Sequence, residues 1–403
     1  MLRLVCTKDE QIMQSKISNN LYQKNVNIAL VAQLVWKNPG IARADIAREL
    51  NLYRSTVTNI TNYLIENDVI LEGDERSSQP QGGRKPITLS LNPAMGAVAG
   101  FDLQPSHYRA TLVDIYGKLL WKEIGNTPDT GFDAIIDFLM EKVIGVSKGL
   151  SLPLLGVCFG IPGVVDGERG IVRYAEPLKL YDYDFYGRFK AKYFLPVIIE
   201  NDANCTAWYE MVNSKDSDST FISLYGDYHE SNNQFDDRSG VGIGIGIAID
   251  GKVYHGAHSS AGEFCSVSWH GTMSGQSGIS NEELSRTQSD RDVWEKWVED
   301  IFLSFIPVVA VIDPKIFYII GKPFADKDSM LSTIKKKAPA FLEVLEKYDV
   351  ELVFDSSDEM AVAEGAARMY LQNMFSIPEL STIDSILHFD WDSLIKNMRI
   401  RKQ

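Results

Sequence analysis

The sequence predicts an α/β protein of two lobes with a cleft between them, preceded by a small winged helix-turn-helix. Three stretches carry this expectation. The first is Ser239 to Glu263, SGVGIGIGIAIDGKVYHGAHSSAGE, in which Gly240, Gly242, Gly244 and Gly246 alternate with Val241, Ile243, Ile245 and Ile247. Period-two alternation of β-branched residues marks a strand, and its bare glycine face admits close approach by another backbone or a ligand. Asp250-Gly251 reads as a tight hairpin turn, after which Gly256, Gly262 and Glu263 deliver one carboxylate into a glycine-lined cleft. The second is an acidic motif upstream, Glu200-Asn201-Asp202-Ala203-Asn204. Taken alone, the glycine stretch is equally a plain hairpin of any α/β domain, and the second carboxylate motif shifts the balance toward a site. The third is the N-terminal ninety residues, where helical patterns give way to two strands around a basic loop.

Size and charge bound the possibilities. With 403 residues, 45% of them hydrophobic, the chain can bury the core of two or three domains. The net charge is −14 and unevenly spread: 11 basic against 9 acidic groups in residues 1–90, and 29 against 45 in the remainder. An acidic body repels nucleic acid, so any DNA contact is confined to the N-terminal part. Cys6, Cys158, Cys205 and Cys265 are scattered and form no disulfide framework, which suits a reducing cytoplasm. The N-terminus lacks an apolar run with a small-residue cleavage site. The most apolar stretch, Ile301 to Ile320, is interrupted by Pro307, Asp313, Pro314 and Lys315, and reads as a core helix and a strand with no membrane partner.

Val26 to Trp36 has apolar residues at helical spacing and stops at Asn38-Pro39-Gly40. A short helix, Arg43 to Leu50, and a third, Arg54 to Asn67, follow with Asn51-Leu52 as the turn between them. The third helix exposes Arg54, Ser55, Thr56, Thr58, Asn59 and Asn62, side chains able to reach base edges and phosphates in a major groove. Strands at Val69–Glu72 and Ile87–Leu91 flank a polar loop ending in Gly82-Gly83-Arg84-Lys85-Pro86, whose Arg84 and Lys85 suit a minor groove. A helical bundle that packs on a partner protein is the competing reading, and the basic wing argues against it. Neither Ala42 nor Tyr53 offers a capping side chain to the helix it precedes.

Beyond a linker at Asn92-Pro93, Ala97–Leu103, Arg109–Ile115 and Lys118–Glu123 read as a strand meander. Phe132–Lys148 is helical, Leu154–Gly160 a buried strand running into Ile161-Pro162-Gly163-Val164-Val165-Asp166-Gly167, Phe185–Phe194 a helix and Val197–Ile199 a strand. Thr220–Leu224, the glycine-rich hairpin and Phe317–Ile320 add strands, and Ala361–Leu371 is a helix of small residues that can pack closely on a sheet. Asp390–Met398 reads as an amphipathic helix with Trp391, Leu394 and Ile395 on one side, docking on the first lobe or near the N-terminal domain. The expected domains are residues 1–91, the winged helix; 92–203 with about 376–403, the first lobe; and 204–375, the second, with a ligand cleft between lobes.

From about Asn25 to Leu371 the chain resembles the ROK family of repressors and sugar kinases, through the winged helix, the PGVVDG turn, ENDAN, GVGIGIGIAIDGKVYHG, AGE and the late EGAA. The resemblance implies an actin-like, ribonuclease H-like sugar-kinase fold. In the kinase branch it would make Asp202 the base that deprotonates a sugar hydroxyl, with Asn201 and Glu263 bonding other hydroxyls; otherwise Asp202 is a strand-end residue capping the next helix. Gly163, Ser266 and Glu282 complete the ligand-binding set that the resemblance suggests. Departures matter as much. The family's Asp-x-Gly-Gly-Thr phosphate loop reads Asp102-Leu103-Gln104-Pro105-Ser106-His107, without glycine and with a proline that removes a donor. The second phosphate loop is interrupted by an acidic insertion, Gly226 to Arg238. Ser266 stands where the family has a zinc-binding His, and Val267–Ser280 holds no cysteine, with Gly275-Gln276-Ser277-Gly278 as the remnant. His255, His258, Cys265 and His270 match no established zinc spacing, so no metal and no cofactor are expected. The expectation is a cytoplasmic, non-enzymatic, sugar-responsive repressor that binds operator DNA as a homodimer or higher oligomer; the alternative is an ATP-dependent sugar kinase with an accessory DNA-binding domain.

Overall fold

The structure, a computed structural model, describes residues 8–75, 86–213, 219–229, 240–271, 275–355, 359–376 and 390–402. Helix α1 (Lys8–Lys37) starts well ahead of Val26. Its early half contains no Gly or Pro to stop it, and the later half packs through Ile28, Val31, Ala32 and Val35. Strand β1 (Ile41–Ala42), helices α2 (Arg43–Glu49) and α3 (Arg54–Glu66), and strands β2 (Ile70–Glu75) and β3 (Ile87–Leu91) complete the N-terminal unit. Both α2 and α3 begin without a side-chain cap, at Ala42 and Tyr53. Ala42 is held instead as a strand residue paired with Thr88, in a sheet of order β1-β3-β2. Two residues are too few to show alternation, which is why β1 was not expected. The wing tip with Arg84 and Lys85 lies outside the described residues.

The first lobe is built on β4 (Ala97–Leu103), β5 (His107–Asp114) and β6 (Leu119–Asn126), an antiparallel meander, then α4 (Phe132–Gly149) and β7 (Leu154–Ile161) parallel to β4. Strands β8 (Val164–Asp166), β9 (Ile171–Ala175) and β10 (Leu180–Asp184) form a separate antiparallel sheet. Sequence patterning showed only a turn there, because these strands are three to five residues long and partly exposed. After α5 (Phe185–Lys192), strand β11 (Val197–Asn201) joins β7 and runs straight into α6 (Asp202–Asn213). The sheet order is β11-β7-β4-β5-β6.

The second lobe repeats the plan. Strands β12 (Phe221–His229), β13 (Gly240–Ile249) and β14 (Lys252–Val253) are antiparallel. Helices α7 (Asn281–Leu284) and α8 (Arg291–Ile312) lead to β15 (Ile316–Ile320), then α9 (Lys327–Lys337), α10 (Pro339–Lys347), β16 (Glu351–Asp355) and α11 (Ala361–Met374). The order is β14-β13-β12-β15-β16, with β15 and β16 added in parallel. Asp250 (φ 49°) and Gly251 (φ 71°) both have positive φ, the signature of the tight hairpin turn read from the sequence. One boundary differs. Gly226 to His229 are not loop but the end of β12, paired with Gly240 to Ile243. Asp227 reads as a loop residue until its buried partners, described below, are known.

Helices α6 and α11 lie between the two sheets. The glycine face of β13 receives α6: a Cβ on Gly244 would meet Ala203, and one on Gly246 would meet Ala203 and Ala207. On its other side α6 touches α11, where a Cβ on Gly365 would overlap the carbonyl oxygen of Cys205. Tyr370 of α11 reaches the first sheet, its hydroxyl donating to Leu155 O at 3.1 Å. A last helix, α12 (Trp391–Lys402), begins close to where the sequence placed it and binds both the body and the N-terminal unit. Trp391 packs on Phe375 (5.6 Å between centroids), and Asp392 accepts from Tyr63 Oη at 2.6 Å and pairs with Lys24 at 2.9 Å. Trp36 of α1 stacks on the same Phe375 at 4.6 Å and donates to Ile115 O. Among the described residues no helix is long and apolar enough to cross a membrane.

The α6–α11 contact gives a direct test. Gly365→Ala forces the helices apart and should lower unfolding free energy by roughly 2–3 kcal/mol in urea titration, against less than about 1 kcal/mol for Gly131→Ala, whose surroundings are open.

Candidate functional site

The junction of β11 and α6 is pinned by its own side chains. Asn201 Oδ1 accepts from Asn204 N at 3.0 Å, capping α6, and Asn201 Nδ2 donates to Gly163 O at 2.9 Å. Glu200 Oε1 accepts from Asn201 N and Asn204 Nδ2, while Glu200 Oε2 lies 2.7 Å from His255 Nε2. With capping assigned to Asn201, Asp202 points elsewhere. Its carboxylate accepts from its neighbour Ala203 N at 2.8 Å and from Gln104 Nε2 at 3.1 Å.

Asp202 faces a cavity of about 210 Å³ between the lobes. Gly163, Asn201, Asp202 and Glu263 all line it, so the structure brings four of the six expected ligand residues together. Gly163 (φ 97°) and Gly262 (φ 93°) hold left-handed backbone that L side chains rarely adopt, with the carbonyls of Tyr174 and Ile245 packed where a Cβ would stand. Glycine-bearing β13 forms one wall through Gly240, Gly242 and Gly244. Burial, and next the charge of Asp102, push the Asp202 carboxyl up to about 7, against the bonds from Gln104 and Ala203 that favour its ionised form. Burial also raises Glu263.

Asp227, in the cavity lining, belongs to a buried charge cluster. Arg109 is almost fully buried and sits directly across from Asp102 on the β4–β5 ladder. Its Nη1 donates to Asp102 Oδ2 at 2.6 Å and to Asp227 Oδ2 at 2.8 Å. His107 Nε2 lies 3.0 Å from Asp227 Oδ2, and Tyr225 Oη donates to that same oxygen at 3.2 Å. Gln104 Nε2 donates to Asp102 Oδ1 as well as to Asp202. Burial alone would raise the Asp227 carboxyl, but His107 and Arg109 outweigh it and hold it well below the usual carboxylate range. Asp102, Gln104, His107 and Arg109 belong to the first lobe, Tyr225 and Asp227 to the second. The network therefore ties the lobes together.

Ser266 and Glu282 are placed outside the cavity lining. Ser266 is buried with its hydroxyl 3.1 Å from that of Ser268, and Glu282 is exposed on α7, beside a capping box formed by Ser280 and Glu283. Gln276 lines the wall instead, its amide paired with Ile243 N (2.9 Å) and Ile243 O (2.6 Å). Sequence reading missed Gln276, Arg109, Tyr225, Asp227, Tyr174 and Glu176; only the last five carry a polar tip next to an apolar strand pattern, a signal too common to single them out. The residues at the family's zinc position do not fit that metal: the segment is held by the Gln276 amide, and Gly278 N donates to Asp300 Oδ2 at 2.7 Å. Among the described residues no group of three His, Cys, Asp or Glu side chains is arranged to hold a metal ion.

On α3, Arg54, Ser55, Thr58, Asn59 and Asn62 are exposed and Thr56 is half-buried. Asn62 Oδ1 accepts from Arg43 Nη2 at 3.3 Å, and Arg43 also pairs with Glu72. Tyr53, 85% exposed at the head of α3, was not expected in this set.

Residues 98–274 match the model of the ROK family. Over that segment the chain resembles the ROK family. It is 29% identical over 256 residues to a xylose repressor of Caldicellulosiruptor bescii, covering 61% of this chain and 59% of that protein. It is 30% identical over 255 residues to a xylose repressor of Lactiplantibacillus pentosus, covering 62% of each. The match thus spans about three fifths of the length of these relatives. Among solved structures, a ROK family transcriptional regulator, homolog of E. coli MLC protein, superposes with a TM-score of 0.64 at 19% identity, covering 94% of this chain and 100% of the other. A ROK family glucokinase from Streptomyces griseus, in complex with glucose and AMPPNP, gives a TM-score of 0.52 at 20% identity over 68% of this chain and 99% of its own. The fold is the actin-like two-lobed fold of these proteins.

Two outcomes follow from the buried charges. Asp202 titrates near 7 folded and near 3.8 unfolded, so between about pH 4 and 7 the unfolded state ionises first and stability falls with rising pH. Asp202→Asn removes that penalty and should stabilise the protein at pH 8, on the order of 1–3 kcal/mol, with little gain at pH 4. Arg109→Met leaves Asp102 and Asp227 buried without their cation and should destabilise by about 3–5 kcal/mol, with Asp227→Asn in the same chain recovering part of the loss. Chemical denaturation across pH measures both.

Proposed function

We propose that this chain is a sugar-responsive transcriptional regulator, a repressor, whose winged helix binds operator DNA and whose interlobe cavity binds a sugar or sugar derivative. The observation that carries this is a small cavity lined by the carboxylates Asp202 and Glu263 beside Asn201, in which Asp227 is held from behind the wall by Arg109, itself paired with Asp102. A carboxylate accepts two hydroxyl donors, and Asn201 beside it fixes their direction. The relatives named xylose repressor, and one of Escherichia coli named N-acetylglucosamine repressor at 24% identity, support the same reading.

Kinase activity is not expected. Phosphoryl transfer needs backbone donors and cations around the phosphates. Here Gln104 and Pro105 stand where the family's kinases have glycines, and no Lys or Arg is among the described residues lining the cavity. The chain would act as a homodimer, since paired recognition helices read operator half-sites. A sugar that favours one lobe arrangement would move α6, which begins at Asp202, and through Gly365 move α11, whose end carries Phe375. Phe375 meets Trp36 and Trp391, and Asp392 holds Tyr63 of α3. The ligand acts only through unequal affinity for the two arrangements.

Fluorescence anisotropy with DNA from upstream of the chain's own gene tests this. Within a panel including D-xylose, D-glucose and N-acetylglucosamine, one sugar should weaken operator binding at least about tenfold, a coupling within the usual allosteric range. Equal binding with every sugar would contradict it, as would ADP release from ATP, magnesium and the same panel. Arg54→Ala should weaken operator binding and reduce the slope against log salt by about 1 if Arg54 neutralises one phosphate.

A further inference from the structure

The cavity does not end at its polar floor. Its lining runs from buried Gln104, Asp202 and Asp227 outward to Tyr174, Glu176 and Pro177, carried by the small β8–β10 sheet. Tyr174 is 46% exposed, and Tyr181, across the β9–β10 ladder from it, is 57% exposed. Their rings meet edge-on with centroids 5.6 Å apart. Both hydroxyls donate to one oxygen, Glu176 Oε2, Tyr174 at 3.1 Å and Tyr181 at 2.6 Å. The turn between the strands places Lys179 (φ 53°) in left-handed backbone, and Asp182 (φ 43°) follows Tyr181 in the same region. Tyr174 thus stands in the lining of the cavity, and Tyr181 extends the aromatic surface outward from it, both hydroxyls tied down by Glu176.

We propose that Tyr174, Tyr181 and Glu176 form a second sugar subsite, and that the ligand is a disaccharide or other glycoside whose first ring enters the cavity. This rests on the reading of the cavity as a sugar site. The volume of about 210 Å³ is below the range that encloses a drug-sized ligand, so it holds about one ring, and any second ring must lie over the mouth. A pyranose presents an apolar C–H face rimmed by hydroxyls. That face matches an exposed tyrosine ring, whose body is apolar and whose tip is wet, and the carboxylate of Glu176 accepts hydroxyls at the rim. A rigid aromatic side chain gives this contact area with little loss of conformational freedom.

Isothermal titration calorimetry of the full chain with three pairs, D-xylose and xylobiose, D-glucose and cellobiose, N-acetylglucosamine and diacetylchitobiose, tests the subsite. In at least one pair the disaccharide should bind about tenfold more tightly than its monosaccharide. Tyr181→Ala should bring that ratio to about one, while Tyr181→Phe, which keeps the ring, should leave the preference largely in place; thermal melting confirms that both variants fold. Monosaccharides binding as tightly as their disaccharides, or a ratio untouched by Tyr181→Ala, would overturn the subsite and leave the sugar cavity standing. Failure of all six sugars to bind would overturn the sugar reading itself, and the subsite with it.

Discussion

The buried cation Arg109 organises the centre of this protein. Arg109 lies in a strand where every neighbour is apolar or paired, and a lone guanidinium there would be strongly unfavourable. It is tolerated because Asp102 sits directly across the ladder and Asp227 arrives from the other lobe. Asp227 in turn is kept ionised by His107 and Arg109. Removing any one member strands the others without water, so the cluster acts as a unit that ties two sheets. Its second effect is on the cavity. By holding Asp102, it gives Gln104 a fixed acceptor, and Gln104 then reaches Asp202.

The wall opposite depends on a different constraint, the absence of side chains. Glycine on alternate positions of β13 lets α6 approach the second sheet, and Gly365 lets α11 approach α6. The two helices therefore connect the carboxylate at the cavity floor with the aromatic cluster of Phe375, Trp36 and Trp391. Close packing without voids transmits small shifts as discrete rearrangements. The N-terminal unit is fastened to that same cluster and to α12, so a change between lobes has a physical route to α3.

Much of this was legible in the chain because it rests on periodicity. The Gly–Ile alternation, the Asp-Gly turn and the meander of Ala97–Leu103 with its neighbours are local patterns, and the structure keeps them. Asn201, Asp202, Gly163 and Glu263 were found through their motifs, and they converge on one cavity. What was not legible is pairing between distant segments. Gly226-Asp227-Tyr228-His229 reads as an acidic loop until Arg109 and His107 are seen to neutralise Asp227. Strands β8 to β10 are too short to announce themselves, so Tyr174 and Glu176 in the lining were missed. Ser266 and Glu282 followed the family's pattern where the local chain has changed, and Gln276 took over the wall.

The central claim is that the cleft holds sugar while the Arg109 cluster occupies the place of a phosphate grip. A crystal structure grown with the tightest-binding sugar and a non-hydrolysable ATP analogue tests it most directly. Sugar hydroxyls should lie against Asn201, Asp202 and Glu263, with Arg109 still between Asp102 and Asp227 and no nucleotide beside Pro105. Nucleotide phosphates seated there, with Arg109 swung away from Asp227, would contradict it.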